Sequence, residues 1–178
     1  MHCRIAVIYA SKYGSTKEIA EIIAGELNLK DYQVTLYAAH PGINLNNFDV
    51  VILGSALYMG KWRSDAVMLL KENMDILSKK AVWLFVSGPT GDGDAEMLSE
   101  GKIVPDNIKP IINRISPKGL AVFHGNLDMK ELNIVERILV KMVKAPLGDF
   151  RKKESIQHWT IEIIKKLNQQ IHEKNGSI

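Results

Sequence analysis

Cysteine is almost absent from this chain: Cys3 is the one thiol in 178 residues. No intrachain disulfide can form, and a reducing cytoplasm is the expected setting. Cys3 opens the first apolar run, where a buried structural thiol is expected rather than a nucleophile. Long apolar runs are missing as well. None approaches the ~20 residues that cross a bilayer, and the N-terminus lacks the charged and apolar regions of a signal peptide, so a soluble protein is expected. His2, His40, His124, His158 and His172 are scattered, with no i, i+4 pair and no second cysteine, and no metal site is expected. His124, at a strand end, reads as a hydrogen-bonded structural residue. Neither G-x-x-x-x-G-K-[ST] nor G-x-G-x-x-G occurs, which excludes the usual triphosphate and dinucleotide loops. A surplus of acid is also lacking: the net charge is +3 and the pI near 8.9.

The composition is that of one globular domain, 46% hydrophobic and 24% charged, long enough to bury a two-faced core. The domain is expected over residues 1–173, with a short tail over 174–178. Its organising stretch is Arg4 to Ala10 followed by Ser11-Lys12-Tyr13-Gly14-Ser15-Thr16. An Ile- and Val-rich run too short for a helix ends in small and hydroxyl residues, and a helical pattern begins just beyond. That pattern predicts a buried parallel strand feeding a helix N-terminus, where free N–H groups and the helix dipole suit an anion. Ser11, Ser15 and Thr16 add hydroxyls, and Gly14 lets the backbone curl, enough to wrap one phosphate without metal. A capping box between Ser15 and Glu18 that binds nothing is the alternative.

Ile19 to Leu27 predicts the first crossover helix, and Tyr32 to Ala38 alternates like an edge strand. Asp49 to Ser55 is a fully apolar, central strand. Leu57-Tyr58-Met59-Gly60-Lys61-Trp62 then reads as a loop with two aromatics, and Ser64 to Leu77 as a helix. Ala81 to Val86 is a third apolar strand, ending in Ser87-Gly88-Pro89-Thr90-Gly91-Asp92-Gly93. A helix over Pro105 to Ile115, a strand over Leu120 to Gly125, a helix marked by Leu132, Val135, Ile138, Leu139 and Met142, and a last helix over Ser155 to Ile171 complete the chain. Alternating strands and helices predict an α/β, doubly wound, five-stranded parallel sheet of order 2-1-3-4-5 with helices on both faces and a ligand at its carboxyl edge. Three loops meet there. One is hydroxyl-lined, one carries Tyr58 and Trp62, and one is Gly-rich, which together suit flavin mononucleotide (FMN), with either aromatic stacking on the ring and the backbone of Gly88 to Gly91 on its polar edge.

On the segments Tyr9 to Thr16, Leu53 to Trp62, Val86 to Asp92 and Pro146 to Arg151 with Trp159, the chain resembles flavodoxin-domain proteins, and among them the family that includes the menaquinone-dependent protoporphyrinogen oxidases. The resemblance runs from Ile5 to about Ile164 and implies the flavodoxin-like form of that doubly wound fold. It implies an FMN-dependent, quinone-linked oxidoreductase that takes electrons from a reduced organic substrate, protoporphyrinogen in heme biosynthesis being the family's. It also implies cofactor-binding residues: Ser11, Lys12, Tyr13, Gly14, Ser15 and Thr16 at the phosphate, Ala56, Leu57, Tyr58, Met59 and Gly60 along the flavin, and Ser87, Gly88, Pro89, Thr90, Gly91 and Asp92 on its other side. The family's best-known members have an Arg-Tyr pair where this chain has Tyr58-Met59, a departure that bears on the porphyrin and leaves the flavin untouched. No catalytic acid, base or nucleophile stands out.

The expected partners are a quinone or a redox partner protein and a small-molecule substrate. The basic run Arg137, Lys141, Lys144, Arg151, Lys152 and Lys153 suits either a solvated face or a peripheral membrane association. Nucleic acid is not expected, since no aromatics are interleaved with those cations; a homodimer is left open. The competing reading is a flavodoxin-type electron carrier, against which the basic pI counts, because such carriers dock basic partners with acidic surfaces. A receiver domain shares the strand order, but Ser11-Lys12 and Gly54-Ser55 stand where its carboxylates are needed.

Overall fold

The structure is a computed structural model that describes residues 3–99 and 101–175. Strand β1 (Arg4–Ala10) runs into α1 (Ser15–Asn28), then β2 (Gln33–Ala38), a 3-10 turn at Leu45–Asn47 and the long β3 (Val50–Tyr58). A tight turn leads to β4 (Lys61–Trp62), followed by α2 (Ser64–Glu72), α3 (Met74–Leu77) and β5 (Ala81–Ser87). Next come α4 (Ala95–Leu98), α5 (Lys109–Ile115), β6 (Gly119–Phe123), β7 (Asn126–Leu127), α6 (Ile134–Met142), β8 (Gly148–Asp149) and α7 (Lys153–Asn175).

The main sheet has the order β2-β1-β3-β5-β6, all parallel, with β4 antiparallel to the end of β3. This is the predicted α/β arrangement. Because successive strand residues face opposite sides, each central strand feeds two cores. Ala6, Ile8, Val51, Leu53, Leu84 and Val86 pack with Leu69, Leu70, Ile108 and Ile112, which places α2, α3 and α5 on one face. Ile5, Val7, Ile52, Trp83 and Phe85 pack with Ile19, Ile23, Leu27, Ile156 and Ile163, which places α1 and α7 on the other, with Cys3 half-buried beside them. Each fully buried Ile or Leu in these layers stabilises the fold by about 1.5–3 kcal/mol. Phe85, Phe123 and Trp159 form an edge-to-face triangle under α7.

Two helices differ from expectation for local reasons. The helix over 64–77 breaks at Asn73, whose side-chain amide donates to Leu69 O at 3.0 Å and competes with the backbone ladder. The helix expected from Pro105 begins instead as a 3-10 turn over Asp106–Ile108, with Pro110 at the start of α5.

Candidate functional site

The carboxyl ends of β1, β3, β5 and β6 open into one cavity of about 610 Å³. Ser11, Lys12, Tyr13, Ser15 and Thr16 line it from the first loop, Ala56, Leu57, Tyr58 and Met59 from the second, and Ser87, Gly88 and Thr90 from the third. Gly14, Gly60, Pro89, Gly91 and Asp92 lie in the same loops but outside the lining.

The first loop ends at Gly14, whose φ of +85° turns the chain into α1 at a conformation that other residues adopt only with strain. No capping box forms between Ser15 and Glu18, because both side chains are engaged elsewhere. Ser15 Oγ accepts from Asn126 N at 3.1 Å, and Glu18 pairs with Arg151 at 2.7 Å. Helix α1 has no side-chain cap, so its first-turn N–H groups are left for an anion. Thr16 is wholly buried, its Oγ1 2.8 Å from the Oγ of Ser87, which ties the helix start to the tip of β5.

The second loop is a hairpin. Met59 (φ +49°) and Gly60 (φ +72°) are both left-handed and reverse the chain in two residues, pairing Leu57 with Trp62 and Tyr58 with Lys61. That turn corrects one expectation. Trp62 points into the core, buried, its Nε1 donating to Ile103 O at 2.7 Å, so Tyr58 is the aromatic of this loop that reaches the cavity. Burial, with a smaller contribution from the Glu136 carboxylate, raises the Tyr58 phenol pKa.

In the third loop a Cβ on Gly88 would lie 2.5 Å from Leu57 O, so glycine is required where the second and third loops meet. Two of its backbone groups serve the sheet: Gly88 N donates to Phe123 O at 3.3 Å, and Pro89 O accepts from Gly125 N at 3.0 Å. His124 sits outside the cavity lining, Nε2 3.1 Å from Gly93 O, in the structural role expected of it.

Several lining residues carried no motif in the sequence. Arg63 reaches the cavity from the start of α2, with its N–H donating to Ser55 Oγ at 2.9 Å and its Nε buried without a hydrogen-bond partner. A fourth loop adds Gly125, Asn126 and Leu127, and the α6 segment supplies an apolar wall of Leu132, Leu139, Val140, Val143 and Ala145. Glu136 holds that wall in place. Its carboxylate accepts from Lys12 Nζ, Tyr13 Oη and, at 3.1 Å, Asn133 N, while Asn133 Oδ1 caps the helix by accepting from Glu136 N at 2.9 Å. Lys12, then Tyr13, hold Glu136 down to about 2, and the same contacts raise Lys12. The cavity is thus polar and anion-ready at the α1 start and apolar opposite.

A profile of the flavodoxin domain matches residues 6–154. The chain belongs to the flavodoxin domain family. Solved flavodoxins share its fold. Oxidised Flavodoxin 2 from Bacillus cereus is 21% identical with a TM-score of 0.60, covering 92% of this chain and 99% of its own. The flavodoxin of Streptococcus pneumonia TIGR4 is 15% identical with a TM-score of 0.58 over the same shares. A flavodoxin, WrbA-like protein from Agrobacterium tumefaciens is 16% identical with a TM-score of 0.50, covering 80% and 96%. No curated protein sequence matches the chain. The cofactor of this flavodoxin domain is FMN, and its role is redox electron transfer.

Proposed function

We propose that the cavity seats FMN with its phosphate on the first loop, and that the protein is an oxidoreductase passing electrons from a reduced organic substrate to a quinone. Ser11, Ser15 and Thr16 would hold the phosphate with Gly14 and the α1 N–H groups, with Lys12 and Tyr13 beside them. Ala56, Leu57, Tyr58, Met59 and Gly60 would flank the ring on one side, and Ser87, Gly88, Pro89, Thr90, Gly91 and Asp92 on the other. Bound FMN supplies the electron-accepting and electron-donating chemistry, and the chain supplies position, polarity and exclusion of water. Tyr58 would cover the flat body, and Arg63, paired with Asp65 at 3.3 Å, places its guanidinium at the cavity wall.

One observation carries the reading beyond an electron carrier: the apolar wall of Leu139, Val140 and Val143 faces the loops across the same cavity. Such a wall suits a flat apolar molecule next to the flavin, whereas a carrier needs only an exposed ring edge. A quinone is flat, apolar and dissolved in membrane, so the reading has the protein meet it at a membrane surface, with protoporphyrinogen the substrate to test first. Anaerobically, protoporphyrinogen should yield protoporphyrin when a menaquinone analogue is supplied. Quinone turnover with no porphyrin formed would make the protein a quinone reductase, and Tyr58-Met59 the residues to examine.

A further inference from the structure

Helix α6 is apolar on two faces. Its inward face carries the ion-paired Glu136 and, against the cavity, Leu139 and Val140, while Ile134, Ile138 and Met142, one turn apart, are 77%, 55% and 72% exposed, with Val135 beside them. A surface helix normally buries its one apolar stripe and shows charges to water elsewhere, so a second, exposed stripe marks a contact face. The exposed charges beside that outer stripe are all of one sign. Glu136 is the single acid between residues 134 and 144, and it is already neutralised by Lys12. Of the cations, Arg137 donates to Leu132 O at 2.9 Å and to Lys130 O, whereas Lys141 and Lys144 pair with no carboxylate among the described residues.

We propose that this face of α6 seats the protein on an anionic bilayer, with Ile134, Val135, Ile138 and Met142 at the headgroup–acyl boundary and Lys141 and Lys144 on lipid phosphates. An interfacial helix needs this combination of apolar stripe and flanking lysines. A second copy fits worse, because pairing two such faces sets the same lysines against each other with no exposed acid on either helix to receive them. Val143 and Met59 both line the cavity and both are exposed, 71% and 68%, so the apolar surface continues to the cavity mouth. A lipid-soluble acceptor could pass from membrane to cavity without crossing water. The inference extends the membrane half of the functional reading, and its test reads lipid binding with no electron transfer, so either can fail alone.

The experiment is co-sedimentation of the full-length, FMN-loaded chain with vesicles of phosphatidylcholine alone and with phosphatidylglycerol added. Binding is expected on the anionic vesicles, weakening as salt is raised. Replacing Lys141 and Lys144 together by Gln should lower the partition coefficient about twenty-five-fold, at about fivefold per lysine. Ile138→Asp and Met142→Asp should each abolish binding; both positions are exposed and outside the cavity, and unchanged FMN affinity checks that they fold. A wild-type chain that ignores anionic vesicles, binds neutral ones equally well, or forms a dimer that Ile138→Asp dissolves would overturn the proposal.

Discussion

Thr16→Val removes one hydroxyl from a side chain with no solvent exposure and keeps its branched shape, so no cavity opens and the change is confined to hydrogen bonding. In the folded chain that hydroxyl lies 2.8 Å from Ser87 Oγ, which is itself 2% exposed. Its loss leaves the serine hydroxyl buried without this partner, a penalty of about 1–3 kcal/mol in the FMN-free protein. Urea denaturation reads it as a lower midpoint at unchanged slope. The double variant with Ser87→Ala removes both hydroxyls and with them the stranded one, so its destabilisation should fall below the sum of the two single changes. With the phosphate on the first loop, as proposed, the same substitution would deprive it of one donor. At about 1.5–3 kcal/mol for a hydrogen bond to a charged group, FMN affinity should drop by a factor of about ten to a hundred, with riboflavin affinity unchanged. Stability within about 0.3 kcal/mol of wild type would refute the buried pair. Equal losses for FMN and riboflavin would refute the phosphate assignment.

Trp62→Phe should destabilise the fold by about 1–3 kcal/mol through the lost bond to Ile103 O and leave FMN affinity unchanged; a fall in FMN affinity would return Trp62 to the cavity. Tyr58→Ala should weaken FMN about two- to tenfold and raise the flavin potential, since a stacked aromatic disfavours the electron-rich reduced ring, and an unmoved potential in spectroelectrochemistry counts against stacking. Glu136 has its folded pKa depressed from the ordinary 4.5 to about 2, so its contribution to stability is complete above the ordinary value and is lost as pH falls towards 2. The stability difference between wild type and Glu136→Gln should therefore shrink across that window, and parallel curves would show that the contact to Lys12 and Tyr13 contributes nothing.

The sheet was legible because parallel strands buried on both faces are written as short apolar runs, and the runs at residues 4–10, 50–55 and 81–86 each end in small residues that open a loop. The hydroxyl loop followed from chemistry confined to neighbouring residues. What lay beyond the sequence depended on long-range partners or on single backbone angles. Trp62 looked like a stacking residue until the left-handed pair Met59 and Gly60 turned it inward. The apolar spacing of Leu132, Val135, Ile138, Leu139 and Met142 gave α6 correctly, yet of that set only Leu132 and Leu139 line the cavity. Glu136 lies inward because Lys12 and Tyr13, more than 120 positions away, receive it. Ser15 and Glu18 have capping-box spacing, yet Asn126 and Arg151 claim them first. Arg63 had no motif at all; its placement follows from the hairpin that precedes it.

Delivery of electrons from bound flavin to a quinone, as proposed, is read by stopped-flow mixing of the anaerobically reduced protein with a menaquinone analogue. Reoxidation should be rapid and should saturate with quinone concentration, as binding against the apolar wall of α6 requires. Slow, unsaturated reoxidation by quinone, beside fast reoxidation by a soluble iron–sulfur or flavin protein, would contradict it and make the chain an electron carrier.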